Sequence, residues 1–106
     1  MKTIGLIGGI TWHSTLDYYR LLNEMVNEKL GGVHSAKIIL SSVDFAEIKT
    51  LTLAEDWDAI AELIGKASKE IETAGAGCLV ICANTMHNIA HKVKEMVSIP
   101  IIHIAD

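Results

Sequence analysis

The side chains best suited to chemistry concentrate in one stretch, Cys82-Ala83-Asn84-Thr85-Met86-His87. Cys82 ends an apolar run and precedes an amphipathic one, which is where a strand hands over to a helix. Unpaired backbone N–H groups and the helix dipole at such a junction favour a thiolate over a thiol, giving a base or a nucleophile. Asn84 and Thr85 add side-chain donors beside the amides of the helix start, a receptacle for a carboxylate or phosphate. The same residues also suit a plainer arrangement, with Cys82 a small core hydrophobe and Asn84-Thr85 a helix cap. Position alone does not choose between the two. His87, when protonated, would lower the pKa of a thiol nearby.

A second group follows the first apolar run: Gly8-Gly9-Ile10-Thr11-Trp12-His13-Ser14-Thr15. It contains neither G-x-G-x-x-G nor G-x-x-x-x-G-K-[ST], so a dinucleotide or nucleoside triphosphate has little support. What remains is a tight turn with hydroxyls and amides at a helix start, able to cradle a small anion or to serve only as a turn. Gly9, Ile10, Thr11 and Ser14 are its candidate substrate-binding residues. Cys82, His87 and His91 have a spacing that suggests zinc, but Asn88 stands where H-E-x-x-H has its glutamate, and Cys82 precedes the helical face that carries the histidines. No metal is expected. Cys78 lies mid-strand, packed away from any pocket. As strand residues four apart, Cys78 and Cys82 have Cα atoms roughly 13 Å from each other, beyond the reach of a disulfide, and an unlinked pair fits a reducing compartment. His103 either enters the site or faces the core. His91 is expected to be solvated, and His13 and His34 lie in loops.

These groups need a scaffold, and the periodicity supplies one. Residues 3–8 read as a first strand. A helix capped by Ser14 or Thr15, with Asp17 in its first turn, runs to Leu30 and carries Leu16, Tyr19, Leu22, Val26 and Leu30. Gly31-Gly32 stops it. Residues 36–43 form the second strand, and the segment from Asp44 to Thr52 has no clear pattern. Trp57, Ile60, Ala61, Ile64, Ala67, Ile71 and Ala74 mark a helix with one buried stripe. Residues 77–82 form an interior strand that is apolar on both faces. A helix bearing Met86, Ile89, Ala90, Val93 and Met96 follows, and Pro100 opens a fourth strand over residues 101–104.

This alternation predicts an α/β fold: three layers, a four-stranded parallel sheet in the order 2-1-3-4, and helices on both faces. Ligands in such folds bind outside the carboxyl ends of the strands at the switch point, here between the first and third. The Gly8-Gly9 turn and the turn after Cys82 should therefore share one pocket, flanked by residues 41–44 and 103–106.

With 106 residues the chain builds a single core. Half of its residues are hydrophobic, and the 8 glycines raise the share above the roughly 45–50% of an average soluble chain, which excludes disorder. Lys+Arg of 9 against Asp+Glu of 13 gives a net charge of −4, which argues against a nucleic-acid or anionic-membrane partner. The apolar runs are too short to cross a bilayer and the start lacks a secretory signal. A cytoplasmic location is expected.

Together, Gly8 to Thr15, Ser42-Val43-Asp44-Phe45-Ala46-Glu47-Ile48, Cys82 to His87 and Ser98 to Asp106 resemble the aspartate/glutamate racemases from end to end. Cys-x-Asn-Thr-x-His is the most specific element. The resemblance implies racemisation of an acidic amino acid without a cofactor, and in particular without pyridoxal phosphate. It makes Cys82 one of two catalytic cysteines and places the substrate carboxylate on Asn84 and Thr85. It also implies that residues 1–106 form the first of two similar domains. The opposing cysteine comes from a second domain absent here, and Cys78, on the same strand as Cys82, cannot replace it. Some aspartate-specific members carry an arginine within the segment matching residues 44–48, where this chain has none. Ile10 and His13 replace a methionine and an acid common in close relatives. The expected partner is a small-molecule substrate, an amino acid of the acidic type. The alternatives are a carboxylate-binding module or inactive remnant, and a subunit that pairs through apolar surface with itself or with a separate second half.

Overall fold

The computed structural model describes residues 2–82 and 87–102. Its elements are β1 (Ile4–Gly8), α1 (Trp12–Leu30), β2 (Ile38–Ser42), α2 (Phe45–Leu53), α3 (Trp57–Thr73), β3 (Cys78–Ile81) and α4 (His87–Met96). The three strands are parallel in the order β2-β1-β3, with Leu6 of β1 opposite Leu40 and Val80. The expected fourth strand is reduced, among the described residues, to one parallel bridge between Leu79 and Ile101. Leu79 donates its N–H to the Pro100 carbonyl at 2.9 Å, and Ile102 donates to Leu79 at 2.8 Å. Pro100 has no N–H to extend that ladder. His103 and Ile104, the rest of the expected strand, lie outside the described residues.

Side chains alternate between the two sheet faces. Ile7 and Leu79 meet Ile48 of α2, Ile60, Ile64 and Ile71 of α3, and Ile89 and Val93 of α4 in the larger core cluster. Leu6, Val80 and Cys82 point the other way and pack with Tyr18 and Leu22 of α1. The predicted layers are therefore present, with α1 on one face and α2 to α4 on the other. Ile60, Ile64 and Leu79 are fully buried, each contributing about 1.5–3 kcal/mol by leaving water. The α3 stripe read from the sequence is the one that is buried. Lys92 of α4 pairs with Asp58 of α3, and its hydrogen bond and charge hold the Asp58 carboxyl below its ordinary range. No helix among the described residues is long and apolar enough to cross a membrane.

Two readings change. The patternless segment after Asp44 is a helix, α2, started by the Asp44 carboxylate accepting the Ala46 N–H at 3.0 Å. α1 begins earlier than expected, with Thr11 at its N-cap position, so Ser14 and Thr15 lie inside the helix and no acidic residue occupies its first turn. Its buried residues are Thr15, Tyr18 and Leu22, whereas Leu16, Tyr19 and Leu30 are exposed.

Candidate functional site

The turn after β1 is built around Gly9. Its φ of 83° lies in the left-handed region, and a Cβ there would meet the Val43 carbonyl oxygen, with Ser42 Oγ at 2.6 Å and the Val43 nitrogen at 2.8 Å. The β1–α1 turn and the end of β2 thus touch backbone to backbone, and Val43 N–H donates to the Gly8 carbonyl at 2.8 Å. That places residues 42–44 beside the glycine turn, as expected of the flank.

Thr15 fixes the turn from below. Its Oγ1 accepts the buried Gly9 N–H at 2.9 Å, so a residue expected to cap the helix instead closes the loop onto it. Thr11 Oγ1 bonds to Ser14 Oγ at 2.9 Å and does not cap the helix. Replacing Thr15 by valine keeps the shape but leaves the Gly9 N–H buried without its acceptor. A loss of about 1–3 kcal/mol is expected, read as a lower urea midpoint with an unchanged slope.

Gly9, Ile10, Thr11 and Ser14 are therefore gathered at one turn, with Ile10 buried beneath it and Thr11 open to solvent. β3 ends alongside, since the Cys82 N–H donates to the Ile7 carbonyl at 2.9 Å. The backbone thus brings Cys82 to the switch point predicted from the alternation of elements. Its side chain corrects the expected chemistry. The thiol is fully buried on the α1 face, and burial pushes its pKa up to about 12. In this chain Cys82 is a neutral thiol rather than the ionised one expected of a helix start. The cause is desolvation, which favours the uncharged form. Asn84 and Thr85 lie outside the described residues, as does the turn that would complete the pocket, and the side chain of His87 is likewise not described. Cys78 is buried in mid-strand, and both cysteines are free. His91 is exposed, as expected. His13, taken only as a loop residue, lies in α1 and stacks on Trp12 with ring centroids 3.8 Å apart.

The sequence reading missed a cavity of about 230 Å³ beside this turn. It is lined by Ile10 and Thr11, by Phe45, Ile48, Lys49, Thr52 and Leu53 of α2, and by Trp57 of α3. The signal was hidden because Asp44 to Thr52 gave no clear element, so its side chains had no assigned face.

A sequence profile of the Asp/Glu/Hydantoin racemase family matches residues 7–106. The chain belongs to this family. Among solved structures, a candidate Asp/Glu racemase from Yersinia pestis is 48% identical and superposes with a TM-score of 0.95, covering 99% of this chain and 46% of that one. An aspartate racemase homologue from Pyrococcus horikoshii is 34% identical with a TM-score of 0.87, covering 97% of this chain and 45% of that one. This racemase-family chain thus spans less than half the length of either structure. Its glycine turn, β3 and Cys82 fall within the region matched by the family profile.

Proposed function

We propose that this chain forms one half of an amino-acid racemase site of the aspartate/glutamate type, working by cofactor-independent proton transfer at the α-carbon, with Cys82 supplying one of two thiol acid/bases. The observation that carries the reading is the position of Cys82: its backbone is tied to the end of β1 beside the glycine turn, in a chain of this family.

Inverting a stereocentre needs a base on one face of the α-carbon and an acid on the other, because a single group tends to return the proton where it took it. A protonated Cys82 suits the donor role: the opposing base removes the α-proton, and the Cys82 thiol delivers one to the other face. Donors aimed at the substrate carboxylate stabilise the carbanion between these steps, the role proposed for Asn84 and Thr85 with the amides around Gly9 to Ser14. The opposing group belongs to sequence outside this chain, and two free cysteines suit a reducing, cytoplasmic setting.

The test is α-proton exchange of L-aspartate and L-glutamate in D2O, followed by NMR. In the reverse direction the donor becomes the base, so in this chain alone the Cys82 thiolate must itself remove and return the α-proton on one face, and exchange should proceed with retention. Its rate should rise about tenfold per pH unit between pH 7 and 10 as the thiolate fraction grows toward a pKa of about 12. Cys82→Ser should remove it. Absence of exchange throughout that range, or exchange that survives Cys82→Ser, would sink the proposal.

A further inference from the structure

Beyond the acidic amino acids for which the family is named, we infer that this chain's site takes amino acids with an apolar side chain and prefers them, the side chain entering the cavity between the glycine turn and α2. The inference rests on the racemase reading for the amino-acid backbone of the ligand, and on the cavity for its side chain.

The cavity adjoins the proposed site directly, because Ile10 and Thr11 belong both to its wall and to the turn after β1. Its other walls are Phe45, Ile48, Leu53 and Trp57, with Lys49 and Thr52 between them. Ile10 and Ile48 are buried, at 4% and 2% exposure, and are held by the larger core cluster. A volume of about 230 Å³ has room for about seven water-sized groups, at roughly 30 Å³ each, which is more than a leucine or methionine side chain fills, so size admits either.

Charge decides between an acidic and an apolar occupant. Among the described residues Lys49 is the only charged one of the lining, and it is exposed on α2. A lysine so placed lays its methylene stem along the wall and keeps its ammonium in water. Held at the mouth, that ammonium gives no partner to a charge carried deeper into the cavity. A second carboxylate deeper in would lie against Ile10, Ile48, Phe45 and Trp57, losing its hydration without a partner. An apolar side chain loses nothing there and removes the same walls from water.

Trp57 reports the event. In a Trp12→Phe background it is the sole indole, since the chain has two tryptophans, and its emission can be titrated with L-leucine, L-methionine, L-aspartate and L-glutamate. The apolar pair is expected to give a saturable change with midpoints at least about tenfold below those of the acidic pair, the scale set by burying one aliphatic side chain. Leu53→Asp, at a position 77% exposed and so tolerated by the fold, should raise the leucine midpoint at least about fivefold. Acidic midpoints equal to or below the apolar ones, no saturable response to leucine or methionine, or indifference to Leu53→Asp would each overturn the inference. The α-proton exchange assay separates this from the reading beneath it. Exchange of aspartate with the wrong order of midpoints discards the apolar preference alone. The expected order without exchange of any amino acid keeps the cavity assignment and discards the proton transfer.

Discussion

Gly9→Ala is expected to be the most damaging single-methyl change in the chain, lowering stability by about 4 kcal/mol or more, a large part of the roughly 5–15 kcal/mol available to a typical domain. Two costs combine. An L-residue at φ 83° meets steric strain of about 1–3 kcal/mol. The added Cβ also runs into the Val43 carbonyl oxygen and lies 2.8 Å from the Val43 nitrogen. Those atoms are backbone and cannot rotate aside, so β2 and the β1–α1 turn would have to part, breaking the Val43–Gly8 hydrogen bond at 2.8 Å. Gly31→Ala isolates the first cost. Gly31 also has a positive φ, 74°, but nothing lies within 4 Å of a Cβ built there, so only strain remains and a loss of about 1–3 kcal/mol is expected. Urea melts of the two variants measure the difference. Equal losses would show that the close approach at Gly9 costs nothing. On the proposed function, a Gly9 variant that stays folded should also bind amino acids less well, because the turn presenting Ile10 and Thr11 has moved.

That turn shows how far the residue types could be read without coordinates. Alternating apolar runs placed β1, β2, β3 and α3 within one or two residues, because parallel strands buried on both faces and an amphipathic helix have distinct periods. The meeting of the glycine turn with the end of β3 followed from topology, since strand order fixes the switch point regardless of side-chain detail. α1 was harder. Leu16, Tyr19 and Leu30 recur at helical spacing as regularly as the residues that pack, yet they are exposed, and the inward face is Thr15, Tyr18 and Leu22. Periodicity finds a stripe but not which stripe is covered. Thr15 reads as a cap by residue type, and only the distance from Gly9 reveals a buried acceptor. α2 escaped notice because nine residues offer only about two and a half turns of pattern, and only Ile48 among them is buried. The cavity lined by α2 went unseen with it.

The ionisation of Cys82 is the largest departure, and it makes the second strong prediction. Because its folded pKa, about 12, lies above its ordinary value of 9.0, the sign of the linkage is fixed. Below pH 9 the thiol is protonated in both folded and unfolded chains, and its contribution is fully present. As pH rises past 9 the unfolded thiol ionises while the folded one does not, so stability falls by about 1.4 kcal/mol per pH unit. Toward pH 12 the accumulated loss is up to about 4 kcal/mol. Urea melts at pH 8, 9 and 10 should show this slope in the parent chain beyond whatever slope remains in Cys82→Ala. Alkylation gives a sharper reading. At pH 8 a pKa near 12 leaves about one thiol in ten thousand ionised, against about one in ten for an ordinary thiol, so iodoacetamide should label Cys82 at least about a thousandfold more slowly in the native chain than in urea. Peptide mapping distinguishes it from Cys78. Rapid native labelling would mean the sulfur is exposed and ionised, restoring the role of resting base first expected of it. Slow labelling that accelerates when an amino acid is added would mean that ligand binding itself uncovers the sulfur. In that case the proton needed for inversion is held out of water until there is an α-carbon to receive it.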